Sequence, residues 1–202
     1  MATISFDAMG TLIELNPPAP HLARALRIPL ADAERAITAE ISYYRAHLDE
    51  GRDADTVADL RRRCARVVAG ELSIDADLTD VLLGSLRFTV FADAMPALTR
   101  LRAAGTALVV VSNWDASLHD VLARLGLATL LDAVVTSAEA GARKPNPAIF
   151  KAVGRRIERH VGDSEDEDVA GARAAGIEPV LIRRDGAPGP PGVTSIASLA
   201  EL

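Results

Sequence analysis

The chain has 202 residues, of which 49% are apolar, 25% charged and only 3% aromatic. That composition suits one globular domain, or one domain with a small insert, and excludes disordered, collagen-like and prion-like sequence. A net charge of −6 excludes a long basic surface for nucleic acid, and the single Cys64 excludes an internal disulfide or a zinc-ligand pair.

A lone thiol suits a reducing cytoplasm. The N-terminus carries no basic segment followed by an apolar run, and no apolar run has bilayer-spanning length. The expectation is a cytoplasmic protein without a membrane partner. Of 22 basic residues, only Lys144 and Lys151 are lysines.

Residues 2–7 alternate small, β-branched and aromatic side chains and end in Asp7, which predicts a short buried strand. Gly10 marks a turn. Asn16-Pro17-Pro18-Ala19-Pro20 predicts a rigid extended connector, since each proline fixes its own φ and restricts its predecessor. From about 21 to 87 the pattern is helical throughout, with helices predicted from Ala31 to His47, from Asp55 to Gly70 and near 76–86. Beyond residue 92 helices and strands alternate. Helices are predicted at 94–104, 116–125, 147–154 and 166–175, and strands at 107–111, 133–136, 157–161 and 179–182. Residues 186–193, rich in Gly and Pro, predict a loop. The alternation predicts an α/β fold: a Rossmann-like parallel sheet built from 1–15 and 88–202, with 16–87 inserted as a helical block.

In such sheets ligands bind beyond the carboxyl ends of the strands. The groups that follow those ends are Asp7, then Ser112 and Asn113, then Lys144, then Asp163 and Asp168. A carboxylate can act as a nucleophile toward phosphorus. Further carboxylates suit Mg²⁺, a hard ion with oxygen ligands. A hydroxyl can hold phosphate oxygens, and a lysine supplies fixed positive charge to a transferring group.

Phe6-Asp7-Ala8-Met9-Gly10-Thr11-Leu12, Val111-Ser112-Asn113, Lys144-Pro145 and Gly162-Asp163-Ser164 through Asp168 resemble the four ordered motifs of the haloacid dehalogenase-like superfamily. The helical block resembles its α-helical cap. Ser112-Asn113-Trp114-Asp115, Glu139-Ala140-Gly141, Pro147 to Phe150 and Gly171 to Gly176 are similar to the branch named for a rhythmically expressed gene product. The resemblance implies a hydrolase of small molecules with Asp7 as nucleophile, Ser112 on a substrate oxygen and Lys144 bridging nucleophile and substrate charge. It implies Thr11, Asn113 and Arg45 at the substrate. It also implies Mg²⁺ at Asp7, the Met9 carbonyl, Asp163 and Asp168.

The chain departs from that pattern at Met9, where phosphatases of the family carry a second Asp as general acid and base. Glu167 and Asn146 also differ from common family residues, and the connection from Lys144 to Asp163 is shorter than usual. The helical block has no lysine, which excludes a Schiff-base mechanism there. Three readings follow: a Mg²⁺-dependent phosphatase, a metal-independent 2-haloacid dehalogenase, or a binding protein without turnover. The acidic fourth motif favours the first, and Met9 favours the others. Elsewhere, Tyr43 to Arg52 forms a polar-aromatic cluster that packs a helix end or faces substrate, His160 reads as a strand packing residue, and Trp114 walls the pocket or packs.

Overall fold

A computed structural model describes residues 2–202. In chain order the elements are β1 (Thr3–Phe6), β2 (Ile13–Asn16), α1 (Pro18–Leu26), α2 (Leu30–His47), α3 (Ala54–Leu72), α4 (Thr79–Ser85) and β3 (Arg87–Val90). Then come α5 (Ala94–Ala103), β4 (Ala107–Ser112), α6 (Leu118–Arg124), β5 (Ala133–Thr136), α7 (Ser137–Ala140) and α8 (Ala148–Lys151). The chain finishes with β6 (Arg159–Gly162), α9 (Ala170–Ala174), β7 (Glu178–Ile182) and β8 (Thr194–Ile196).

Among the described residues, six strands form a parallel sheet in the order β5-β4-β1-β6-β7-β8. β4 shows why the sheet is buried on both faces. Successive side chains point to opposite faces, so Leu108 and Val110 join one apolar cluster while Val109 and Val111 join another. The chain winds outward from β1 through β4 to β5, then returns to β6 on the other side of β1. The crevice at that reversal lies between β1 and β6, where an open α/β sheet binds its ligand.

The helical block has its own apolar core, formed by Leu22, Ala36, Ile37, Leu60, Cys64, Val68 and Leu82 among others. α3 begins with a reciprocal cap in which Asp53 accepts from the Thr56 N–H and Thr56 Oγ1 accepts from the Asp53 N–H. Burial pushes the Cys64 thiol up to about 12, so it is a packing group rather than a reactive one.

Several predicted boundaries are corrected. The proline segment is not an extended connector beyond Pro17, because α1 starts at Pro18. The first turn of a helix has no intrahelical use for its N–H groups, so prolines there remove nothing. β2 and β3, outside the prediction, pair antiparallel from Ile13 opposite Val90 to Asn16 opposite Arg87. This ribbon brackets the helical block. β8 was also missed, and β6 starts at Arg159 rather than 157. The helix predicted at 166–175 opens instead as a π turn over Glu165–Val169.

Glu40 on α2 is buried at 4% exposure among these apolar helices. Burial raises its pKa, and a weaker contact with the Cys64 thiol only partly opposes that. The unfolded chain therefore releases this proton first, and the wild type loses stability as pH rises from the ordinary Glu pKa through the raised folded one. Glu40→Gln is expected to raise Tm at pH 7–8, with the difference vanishing near about pH 4, where the native side chain is also neutral. Thermal melts across that range test the sign. An equal or lower Tm for the variant at pH 8 would show the carboxylate to be satisfied.

Candidate active site

Asp7 immediately follows β1, and its N–H donates to the Val161 carbonyl at 2.8 Å, which locks the strand end against β6. Its Oδ1 accepts from Ser112 Oγ at 2.9 Å and from Lys144 Nζ at 2.6 Å. Oδ2 makes no hydrogen bond among the described residues. Ser112 ends β4, beside β1.

Lys144 is 1% exposed, unlike Lys151, which lies on the surface. Its ammonium also donates to Asp168 Oδ1 at 2.6 Å. The short connection after it therefore still seats the ammonium between Asp7 and Asp168. Asn113 holds it there. The Lys144 N–H donates to Asn113 Oδ1 at 2.7 Å, and Asn113 Nδ2 donates to the Lys144 carbonyl at 3.0 Å. Asn113 was expected at the substrate, but both ends of its amide are spent on the Lys144 backbone.

Two glycines make room. Gly10 has φ +75°, and a Cβ there would lie 2.1 Å from Asp163 Oδ2. At Gly162 a Cβ would lie 2.1 Å from the Asp168 carboxyl carbon. The π turn then carries Asp168 inward, with the Ser164 N–H donating to its Oδ2 at 3.0 Å. Glu167 points outward and is exposed, so Asp168 is the one of the two that joins the site.

The electrostatics follow from the burial. Burial raises the Asp7 pKa, as does the neighbouring Asp168, against the pull of Lys144 and Ser112. Burial also works against the Lys144 charge, yet Asp7 and Asp168 together hold it above the ordinary lysine value. Asp168 is held below the carboxylate range by Lys144 and by His160, in spite of burial. Asp163, exposed at the rim of the cluster, is pushed up to about 7 by partial desolvation and by the charges of Asp7 and Asp168. No ion pair reaches it among the described residues.

Oxygen atoms of Asp7, Asp163 and Asp168 lie within 4.8 Å of one another. With all three carboxylates ionised, one ammonium would leave two negative charges unbalanced, a deficit that a divalent cation would fill and that holds the Asp7 and Asp163 pKa values up without one. The Met9 carbonyl, two residues after Asp7, accepts no backbone hydrogen bond in its turn. The donor set is all oxygen and so fits Mg²⁺. Asp168 already spends both oxygens on Lys144, His160 and Ser164, so it arranges the set more than it offers ligands.

Thr11 is fully buried with its Oγ1 unpartnered, four residues after Asp7. Arg45 is exposed on α2; its carbonyl accepts from Arg143 at 3.2 Å, and among the described residues its side chain makes no hydrogen bond to Asp7, Ser112 or Lys144. Trp114 is buried against Phe88, 5.4 Å between ring centroids, as a packing residue.

A family model for haloacid dehalogenase-like hydrolases matches residues 1–176. This chain belongs to that family. Haloacid dehalogenase-like hydrolase domain-containing protein 3 of Bos taurus is 39% identical over 99 residues, 46% of this chain and 39% of that protein. Glyceraldehyde 3-phosphate phosphatase of Methanopyrus kandleri is 39% identical over 101 residues, 46% of this chain and 43% of its own length. The matched segments thus span about two-fifths of these curated relatives. Among solved structures, the 2-haloacid dehalogenase of Pseudomonas syringae pv. Tomato superposes with TM-score 0.68 at 25% identity, covering 100% of this chain and 96% of that one.

Sequence reasoning missed several groups of this hydrolase-family site. His160 is buried and bonded at both ring nitrogens. Arg184, after β7, donates to the Gly10 and Thr11 carbonyls at 3.2 and 2.6 Å and to both oxygens of Asp93, while lying 3.6 Å over the Phe91 ring. It braces the turn after Asp7. In the Tyr43 to Arg52 cluster, Tyr44 donates to Asp115 at 3.1 Å, and Asp49 accepts from Ser137 at 2.5 Å and Arg143 at 2.8 Å. The cluster therefore ties the helical block to the loops that carry Asn113 and Lys144. No described helix is long and apolar enough to cross a membrane.

Proposed function

We propose that this protein is a Mg²⁺-dependent phosphatase of a small phosphorylated metabolite, acting through an aspartyl-phosphate on Asp7. The observation that carries the reading is the buried Asp7–Lys144–Asp168 chain beside the unpaired Asp163 carboxylate. Residues 16–87 act in this reading as the cap of the α-helical-cap subfamily. The motifs from Ser112 to Asp115 and from Gly171 to Gly176 support the rhythmically-expressed-gene-like branch. The buried free thiol supports a reducing, cytoplasmic setting.

Asp7 Oδ2 attacks phosphorus, and its bond to the ester oxygen breaks. The Ser112 hydroxyl and the Lys144 ammonium, both now on Asp7 Oδ1, stand where they can hold equatorial phosphoryl oxygens. Mg²⁺, held by Asp7, the Met9 carbonyl and Asp163 with Asp168 in support, supplies the remaining positive charge when bound. Asn113 and Arg184 keep the Lys144 and Gly10-Thr11 backbones in place. Water then attacks phosphorus, the P–O bond to Asp7 breaks to restore its carboxylate, and the water proton leaves with inorganic phosphate or to solvent.

One observation favours the second reading. Met9 carries no proton, and displacement of halide from a 2-haloacid needs none, so the metal-independent dehalogenase is the alternative. A panel of phosphate esters and 2-haloacids, each assayed with Mg²⁺ and with chelator, separates them. Chelator-sensitive phosphate release is expected. Chelator-insensitive halide release without phosphatase activity would establish the alternative, and loss of both activities a binding role.

Met9 also dictates which esters react. With no proton donor at that position the leaving group departs as an anion, so kcat/KM is expected to fall steeply as leaving-group pKa rises. Aryl and acyl phosphates should react well ahead of alkyl phosphates. Met9→Asp is expected to speed the alkyl esters by up to ~10²–10⁴-fold, about 3–5 kcal/mol of barrier, and so flatten the dependence. A flat dependence in the wild type, with chemistry rate-limiting, would mean that another group supplies the proton.

A further inference from the structure

His160 lies in β6 at 1% exposure, between β1 and β7. A buried imidazole in a central strand is costly unless both nitrogens are partnered. Here Nε2 lies 2.9 Å from Asp168 Oδ1, and Nδ1 lies 2.8 Å from Ser5 Oγ. Asp168 is held ionised by Lys144 and can only accept, so Nε2 carries the proton. Ser5 Oγ then donates to Nδ1. The Phe150 ring meets the imidazole edge-on, 4.9 Å between centroids and 79° between planes, which fixes the ring orientation.

The Asp168 oxygen that receives this proton is the one that receives Lys144 Nζ. The bonds therefore form one continuous path: Ser5 to His160, His160 to Asp168, Asp168 to Lys144, Lys144 to Asp7. Its ends, Ser5 within β1 and Asp7 just beyond it, are two residues apart, so one strand anchors both. We propose that His160 is a positioning residue. Its Nε2–H holds the Asp168 carboxylate so that Asp168 in turn keeps the Lys144 ammonium against Asp7. Asp168 sets the tautomer, and Ser5 Oγ, whose other acceptor is the more distant Arg159 carbonyl at 3.3 Å, complements it at Nδ1. A residue that only filled the strand would need no polar partner at either end.

The kinetic half of this inference rests on the phosphatase reading, but the hydrogen bond can be tested without turnover. In ¹⁵N-labelled protein, free of metal and substrate, long-range imidazole correlations should show His160 neutral, protonated on Nε2 and slow to exchange. Ser5→Ala should weaken that tautomer preference. An Nδ1-protonated ring in the wild type overturns the proposal.

The kinetic arm compares substitutions of opposite character. His160→Phe keeps the volume and the Phe150 contact but loses the donor. His160→Gln loses the ring but places an amide N–H near the Nε2 position. With an aryl phosphate, His160→Phe is expected to lower kcat about 10–100-fold with KM within about threefold, and His160→Gln to stay within about fivefold of wild type. A purely packing role gives the reverse order, and a His160→Phe enzyme equal to wild type overturns the proposal. If His160→Phe does not fold, His160→Asn, whose amide is one methylene too short to reach Asp168, takes its place against His160→Gln. Failure of the wild type to cleave any phosphate ester would remove the phosphatase reading and leave the tautomer measurement to decide the hydrogen bond.

Discussion

Asp7→Asn is expected to lower phosphate-ester hydrolysis by about 10⁴-fold or more, some 5.5 kcal/mol of barrier, while leaving the protein folded. The amide keeps the shape of the side chain and an oxygen for the Ser112 hydroxyl and the Lys144 ammonium, which now bond Asp7 Oδ1 at 2.9 and 2.6 Å. What disappears is the free carboxylate oxygen and its charge. Stability should move the other way. Burial and the nearby Asp168 raise the Asp7 pKa, so the ionised side chain weakens the folded state above the ordinary Asp range. A neutral amide removes that cost. The expected pair of results at pH 7 is near-zero turnover with an unchanged or higher Tm. Retention of most activity would remove Asp7 from the chemistry, and a large fall in Tm would show its charge to be structural.

Lys144→Met should cost both activity and stability. The ammonium is buried and lies 2.6 Å from an oxygen of each of two buried carboxylates. Methionine fills similar space without charge, so Asp7 and Asp168 are left facing each other without their cation. Removing one member of a buried ionic cluster typically costs about 3–5 kcal/mol, a large share of the ~5–15 kcal/mol that holds a domain folded.

The pH dependence has a defined sign. The folded-state pKa of Lys144 is raised, so its contribution is complete below the unfolded lysine value and is lost as pH climbs through the folded one. Asp168 is depressed, so its contribution is complete above the unfolded Asp value and is lost as pH falls through the folded one. The deficit of the variant should therefore be full at neutral pH and shrink in acid, where its carboxylates take up protons. Denaturant midpoints for both proteins at pH 7 and about pH 4 measure it. Lys144→Arg should not restore activity, because a planar guanidinium does not replace a compact ammonium in a space this closed. Equal midpoints at pH 7 would show that water already screens the cluster.

The sheet was legible because its physics is local. Ala107 to Val111 is a continuous apolar run, and burial on both faces is what such a run requires. The groups at strand ends were legible for the same reason, since a parallel sheet brings its carboxyl ends together whatever lies between. Asp7, Ser112, Lys144, Asp163 and Asp168 could thus be named from order alone. The short ribbon of β2 and β3 was not legible, because each strand takes its stability from a partner over seventy residues away. α1 was hidden by prolines whose effect depends on where in a helix they fall. The role of Arg45 was not legible either, because its exposed side chain makes no hydrogen bond to the strand-end groups while its carbonyl meets Arg143.

By itself, then, the amino-acid sequence determined the order of the core strands β1, β4, β5, β6 and β7 and of the longer helices, the acidic character of the fourth strand end and the absence of a proton donor at Met9. Those follow from side-chain type and spacing along the chain. Only the tertiary structure decided how the polar groups pair. Asn113 is spent on the Lys144 backbone, Arg184 on the Gly10-Thr11 turn, and His160 on Ser5 and Asp168. Ser5 and His160 are 155 residues apart. A hydrogen bond is decided at the scale of a few tenths of an ångström between groups that the chain separates, and composition, periodicity and spacing carry no information at that scale.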